Sequence, residues 1–70
     1  MYTITTDLPY TAAKSEIEEF AKTHGCTISN FIFNGPAGGN HLVTFQSNNL
    51  NHIQELTDQL LLPLEKIMEV

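Results

Sequence analysis

The spacing of the apolar residues changes along this chain between the two-residue period of a strand and the longer period of a helix. The order of these changes limits the folds that the chain can adopt. At the start, Tyr2 and Ile4 alternate with threonines, which predicts a strand over residues 2–6. The Asp-Leu-Pro sequence that follows ends this strand.

A helix is predicted next. Its apolar residues fall on one helical stripe, at spacings of four, seven and eight residues: Ala13, Ile17, Phe20 and Ala21. Thr11 has a side chain suited to the N-cap. Gly25 is well placed for the left-handed position that ends a helix.

Two further strands are predicted in the middle of the chain. Residues 26–34 are rich in β-branched and aromatic side chains, and residues 41–46 show a two-residue alternation. The sequence NGPAGGN at residues 34–40 has the composition of a turn, so an antiparallel hairpin is the simplest pairing. A glycine-rich loop can also hold a phosphate, but such loops lead into a helix, whereas this one leads into a strand.

A second helical stripe follows the third strand. Its members keep helical spacing: Leu50, Ile53, Thr57, Leu60, Leu61 and Leu64. Each residue of the Ser-Asn-Asn sequence at 47–49 qualifies as its cap, and Pro63 disturbs its end. Two alternatives stay open for the tail. It can form a final helical turn containing Leu64, Ile67 and Met68, or a short strand over residues 66–70.

The predicted order is β-α-β-β-α with a final strand left open. This order matches the split βαβ, or ferredoxin-like, arrangement. We therefore expect an α+β fold with an antiparallel sheet and both helices on one of its faces. With 70 residues and no linker or internal repeat, the chain is predicted to form a single domain over residues 1–70.

Three stretches of the chain resemble the RNA recognition motif family. The sequence Leu-Pro-Tyr-Thr at residues 8–11 resembles the end of that family's first strand and the start of its first helix. The helix ending at Gly25 resembles that first helix, and Leu-Val-Thr-Phe at residues 42–45 resembles half of the third-strand signature. The resemblance implies the ferredoxin-like fold.

The same resemblance implies an alternative function, a single-stranded RNA-binding domain. Members of the family stack RNA bases on aromatic side chains. At the matching positions this chain has Ile4, Asn40 and Leu42, and it has Gly38 where the family has a basic residue. The resemblance therefore supports the fold, and it does not support RNA binding.

The charge balance also disfavours nucleic acid and membranes as partners. The chain has three lysines, no arginine and eight carboxylates, for a net charge of −5 at pH 7, whereas nucleic acid and anionic lipids are bound mainly by lysine and arginine. An acidic surface suits a basic protein partner or solubility. No apolar run is long enough to cross a bilayer and no basic signal peptide begins the chain, so we expect no membrane association and a cytoplasmic location.

No group of residues has the spacing of a catalytic or metal site. His24, His41 and His52 are not at ligand spacing with a cysteine or a carboxylate. Cys26, the single cysteine, lacks the cationic setting that activates a thiol, so we expect it to be buried. The sequence predicts no enzymatic activity, no cofactor and no metal.

The second predicted strand has apolar residues in both strand phases, Ile28 with Ile32 and Phe31 with Phe33. Two helices can cover only one face of the sheet. One of these pairs must therefore lie on the other face beside Leu42, unless the strand is irregular or the tail covers that face.

We expect Leu42, Thr44, Phe31 and Phe33 to form an exposed binding surface, because large exposed apolar patches usually mark contact sites. The predicted function is a small non-catalytic protein-binding module. Its partner is predicted to be a second copy of the chain in a homodimer, or a larger protein on which it docks as an accessory protein or viral inhibitor.

Overall fold

The computed structural model describes residues 1–34 and 39–70. Their secondary-structure elements, in chain order, are β1 (Tyr2–Leu8), α1 (Lys14–Thr23), β2 (Thr27–Ile32), β3 (His41–Ser47), α2 (Leu50–Gln59), a short 3₁₀ helix (Leu64–Lys66) and β4 (Met68–Glu69). Most of the predicted turn between the second and third strands lies outside the described residues. The predicted β-α-β-β-α order is confirmed, with a short final strand.

The four strands form one antiparallel sheet in the order β2-β3-β1-β4. β3 lies between β1 and β2, the two strands that α1 connects, and β1 lies between β3 and β4, the two that α2 connects. This is the split βαβ arrangement. The fold is therefore α+β, as predicted, and fits the ferredoxin-like class. Among the described residues, no helix has the length and apolar character needed to cross a membrane.

The core lies between the helices and one face of the sheet. Its members are all exposed by 4% or less: Ile4, Ile17, Ala21, Cys26, Val43, Phe45, Ile53 and Leu56. Val43 and Phe45 lie on the helix side of β3, and Ile17 and Ala21 lie on the predicted stripe of α1. The two-residue and helical periods in the sequence thus correspond to the buried positions of these elements.

The first helix begins later than the sequence predicts. Its N-cap is Ala13, not Thr11. Thr11 lies instead in a turn, in which the Ala12 amide donates to the Pro9 carbonyl at 3.0 Å. A carboxylate then supplements the alanine cap, because the Glu16 side chain accepts the Ala13 amide at 3.0 Å.

The predicted end of the first helix at Gly25 is confirmed. Gly25 has a φ of +69°, in the left-handed region that glycine adopts readily. The Cys26 amide donates to the Ala21 carbonyl at 2.8 Å, and the Gly25 amide donates to the Lys22 carbonyl at 3.0 Å. These are the two hydrogen bonds of a Schellman motif.

The second helix ends at Gln59, although the apolar residues keep helical spacing as far as Leu64 in the sequence. Leu61 takes the left-handed conformation instead, with a φ of +58°. Its amide donates to the Asp58 carbonyl at 3.0 Å, and the Leu62 amide donates to the Thr57 carbonyl at 3.1 Å. A leucine therefore occupies the position that Gly25 occupies after α1.

Of the two alternatives for the tail, the structure has the short strand. Met68 pairs with Thr3 and Glu69 pairs with Tyr2 in β1. A 3₁₀ helix lies between α2 and this strand in the chain. The tail therefore adds a strand to the edge of the sheet, and its 3₁₀ helix lies beside the β1 and β4 positions of the face opposite the helices.

Candidate protein-binding surface

An irregularity in β2 decides which apolar side chains lie on each face of the sheet. Ile28 pairs with Phe45, but the register shifts before Asn30, which pairs with Thr44. An extra residue of this kind reverses the strand phase beyond it. The prediction that Ile28 and Ile32 share a face is therefore wrong.

Beyond the shift, Phe31 pairs with Val43 and Ile32 pairs with Leu42. Phe31 consequently packs against the core on the helix side of the sheet, together with Ile28. Ile32 lies beside Leu42 on the other side. The sequence contains no glycine at the shift that would have indicated it.

The structure divides the predicted binding surface into two. Leu42 and Thr44 lie on the face away from the helices, whereas Phe31 lies on the helix side. Phe33, which is 58% exposed, follows the end of β2 and packs against Phe31, with ring centroids 4.8 Å apart and ring planes inclined at 57°. Phe31 and Phe33 are therefore together, as the sequence predicts, but they are not beside Leu42.

We define the open face as the sheet surface on the side away from both helices. The strand registers assign it the residues Thr3, Thr5, Asp7, Thr27, Asn30, Ile32, Leu42, Thr44, Gln46 and Met68. Threonines predominate, and Thr5 and Thr44 share a hydrogen bond between their hydroxyls at 2.8 Å. Ile32 and Leu42 form its apolar centre on β2 and β3.

The strand positions of the open face carry little charge. Asp7 is the one charged residue among them, although the chain has eight carboxylates and three lysines. Glu65 and Lys66 of the 3₁₀ helix lie beside the face at its β4 edge. Depletion of charged side chains is the compositional signal that distinguishes the centre of a protein interface from the rest of a surface. Aromatic rings, the other common signal, are missing from the open-face positions.

A cluster of aromatic side chains lies on the helix side, where β2 ends and β3 begins. The His41 ring lies 5.1 Å from that of Phe31 and 5.4 Å from that of Phe33. The ammonium of Lys14 lies 5.6 Å and 5.9 Å from the two phenylalanine ring centroids. Because Lys14 comes from α1, nothing local in the sequence indicates this cation–π contact, which is worth about 0.5–1 kcal/mol at an exposed site.

His41 has a structural partner in this cluster. It is 5% exposed, and its Nδ1 accepts the Asn34 amide at 3.0 Å. The hydrogen bond holds the backbone at the end of β2 against the start of β3. The other two histidines lie elsewhere, with His24 Nδ1 2.9 Å from the Phe20 carbonyl and His52 beside Gly25.

The histidine, cysteine and acidic side chains of the described residues are dispersed over the structure. Within residues 1–34 and 39–70, no three histidine, cysteine or acidic side chains are grouped closely enough to hold a metal ion. Cys26 is buried, and its thiol points to the His24 carbonyl at 3.5 Å. Burial raises the pKa of this thiol above its ordinary value of 9.0, and a hydrogen bond with Ser47 opposes the rise.

Compared with known proteins, the chain matches no protein-family model, no curated protein and no solved structure. Of the four positions compared with RNA recognition motifs, Gly38 lies outside the described residues and the other three lie within them. Leu42 lies on the open face, and Asn40 is exposed just before β3. Ile4 is 1% exposed and lies in the core, so its side chain faces the helices and not the surface on which that family stacks bases.

Proposed function

We propose that this chain is a non-catalytic protein-binding module that associates with a second copy of itself through the open face. The observation that carries the proposal is the low charge of that face, with Ile32 and Leu42 side by side at its centre. Each copy has a net charge of −5, so two copies repel one another when they approach through their charged surfaces. The open face is the broad surface on which they can meet with the least repulsion.

The size of the chain supports association. A domain of about 60–70 residues buries only about 60% of the surface that its unfolded chain exposes, so its stability is small. Two sheets that pack face to face place their side chains in a layer about 10 Å thick. Ile32 and Leu42 of both copies would lie in that layer, with Met68, which is 66% exposed, near one edge.

The proposed dimer is weak. Two partly buried aliphatic side chains per copy are few for an interface, and threonine side chains add contacts of about 0.2–1 kcal/mol per pair. We expect a dissociation constant of roughly 0.1–1 mM, which corresponds to about −4 to −5.5 kcal/mol. Docking of the same face on a larger protein is the second form of this function, and it uses the same residues.

The test compares two variants that each add one carboxylate. Leu42→Glu places the charge on the open face, and Ser15→Glu places it on the exposed side of α1. In sedimentation velocity from about 10 μM to about 1 mM, the wild type and Ser15→Glu are expected to show dimer formation, and Leu42→Glu is expected to stay monomeric. The reason is that a carboxylate in a dry interface costs several kcal/mol.

Circular dichroism supplies the control for folding. Leu42→Glu is expected to keep the wild-type spectrum, because Leu42 does not belong to the core. A wild type that is monomeric throughout this concentration range would contradict self-association. Loss of the folded spectrum in Leu42→Glu would contradict the placement of Leu42 on the open face.

A further inference from the structure

A groove lies on the helix layer, on the opposite side of the sheet from the open face. It is lined by Leu8 and Pro9 at the end of β1, by Ile17 and Phe20 of α1, and by Leu60 at the end of α2. Its volume is about 400 Å³, and it is shallow and open to solvent. Its lining is mostly apolar, which suits apolar side chains of a partner.

The residue after Leu60 combines a strained backbone with an exposed apolar side chain. Leu61 adopts the left-handed conformation, which a leucine enters at a cost of about 1–2 kcal/mol, and its side chain is 92% exposed. This conformation ends α2, since it lets the Leu61 and Leu62 amides donate to the Asp58 and Thr57 carbonyls. An exposed leucine beside an apolar groove extends the contact surface beyond the groove itself.

The charge beside the groove is negative. Glu16 lines it, and Glu19 lies one turn further along α1. One oxygen of the Glu16 carboxylate accepts the Ala13 amide, which fixes the side chain and leaves the second oxygen for a partner. No lysine lines the groove among the described residues, and Lys14 of α1 lies over the phenylalanine rings instead.

We propose that this groove binds an amphipathic helical segment of another protein, with apolar anchors in the groove and a lysine or arginine beside Glu16. Apolar anchors spaced by one helical turn are the general mode by which grooves between helices take such segments. A second copy of this chain lacks the complementary charge, because it also has a net charge of −5. This site is separate from the open face and goes beyond the proposed self-association.

The probe is a fluorescein-labelled amphipathic helix composed of leucine and lysine, and its control is the same peptide with every lysine replaced by glutamate. Fluorescence anisotropy is measured at physiological salt. The wild type is expected to bind the lysine peptide and to bind the glutamate peptide at least about tenfold more weakly, a difference of about 1.4 kcal/mol. Equal binding of the two peptides, or binding of neither, would overturn the proposal.

Two pairs of variants locate the site. Glu16→Gln removes the charge from the groove but keeps an oxygen for the Ala13 amide, whereas Glu18→Gln removes a charge from α1 outside the groove. Thr11→Trp adds bulk at the exposed rim of the groove, and Ser15→Trp adds the same bulk outside it.

Glu16→Gln is expected to weaken binding of the lysine peptide several-fold and Thr11→Trp at least about tenfold, with both control variants close to the wild type. Equal loss in Glu16→Gln and Glu18→Gln would refute the groove, since it would indicate attraction to net charge alone. If Thr11→Trp fails to fold, Leu61→Gly replaces it in the binding assay. Leu61→Gly is also expected to weaken binding of the lysine peptide. All measurements are repeated with Leu42→Glu, so that failure of the groove and failure of the open-face dimer are distinguishable.

Discussion

Replacement of Leu61 by glycine is expected to stabilise the isolated protein, although it removes a large apolar side chain. Leu61 follows α2 in the same hydrogen-bonded motif in which Gly25 follows α1, with a φ of +58° against +69°. A glycine has no β-carbon to clash in this conformation. The side chain that is lost is 92% exposed, so its removal forfeits almost no burial.

The magnitude follows from two opposing effects. Release of the left-handed strain raises the free energy of unfolding by about 1–2 kcal/mol. The greater freedom of glycine in the unfolded chain lowers it by about 0.5–1 kcal/mol. The net gain for Leu61→Gly lies between about 0 and 1.5 kcal/mol, with a middle value of about 0.75 kcal/mol. For a domain of this size the melting temperature rises by about 4–8 °C per kcal/mol, so the middle value corresponds to an increase of about 3–6 °C.

The assay is thermal and urea unfolding followed by circular dichroism, with Leu61→Ala as the matched control. Alanine removes the same exposed side chain but keeps the β-carbon, so it retains most of the strain. Leu61→Gly is therefore expected to be the more stable of the two variants. If Leu61→Gly is no more stable than Leu61→Ala, Leu61 is not held in the left-handed conformation and the account of the end of α2 is wrong.

Two further predictions concern the residues that follow α1. Gly25→Val is expected to lower the melting temperature by at least about 4 °C, because it adds left-handed strain of about 1 kcal/mol or more and its β-carbon would lie within 2.8 Å of His52 Cε1; an unchanged melting temperature would mean that α1 ends elsewhere. Burial raises the pKa of the Cys26 thiol, so the folded state holds this proton more tightly than the unfolded chain does. The stability from this proton is complete below the unfolded pKa of 9.0 and is lost as the pH rises towards the folded value. The difference in unfolding free energy between the wild type and Cys26→Ala should therefore shrink between pH values of about 8 and 10, and a constant difference would contradict the burial of the thiol.

The order of the elements is predictable from the sequence because each element has a local signal. Ile17 and Ala21 recur at helical spacing, Val43 and Phe45 alternate with polar or outward residues, and Gly25 marks a helix end. These signals depend only on residues that are close to one another in the sequence. They therefore survive without knowledge of tertiary contacts.

The element boundaries that the sequence missed depend on backbone conformations without a distinctive residue. Leu61 continues the helical stripe of α2 in sequence, so nothing distinguishes its left-handed conformation from another helical turn. Thr11 is a better N-cap residue than Ala13, but the turn closed by Pro9 delays the helix.

The candidate surfaces depend on residues that are distant in sequence. The shift between Ile28 and Asn30 moves Ile32 to the open face and Phe31 to the core, and no residue type there signals an extra position. The groove joins the end of β1 to both helices, and Lys14 reaches the phenylalanines from another element. The sequence pattern therefore predicts that Leu42 and Thr44 of β3 lie on the face away from the helices. It does not predict which residues of β2 lie beside them on that face.

The most direct test of the central claim is an isotope-filtered NMR experiment on a mixture of labelled and unlabelled chains at about 1 mM, the upper end of the range expected for the dimer. Only contacts between copies give nuclear Overhauser effects in this experiment. The proposed dimer predicts such effects between the methyl groups of Leu42 and those of Ile32 or Leu42 in the second copy. Intermolecular effects confined to helix-layer residues such as Leu61, or no intermolecular effects at all, would contradict the open face as the surface of self-association.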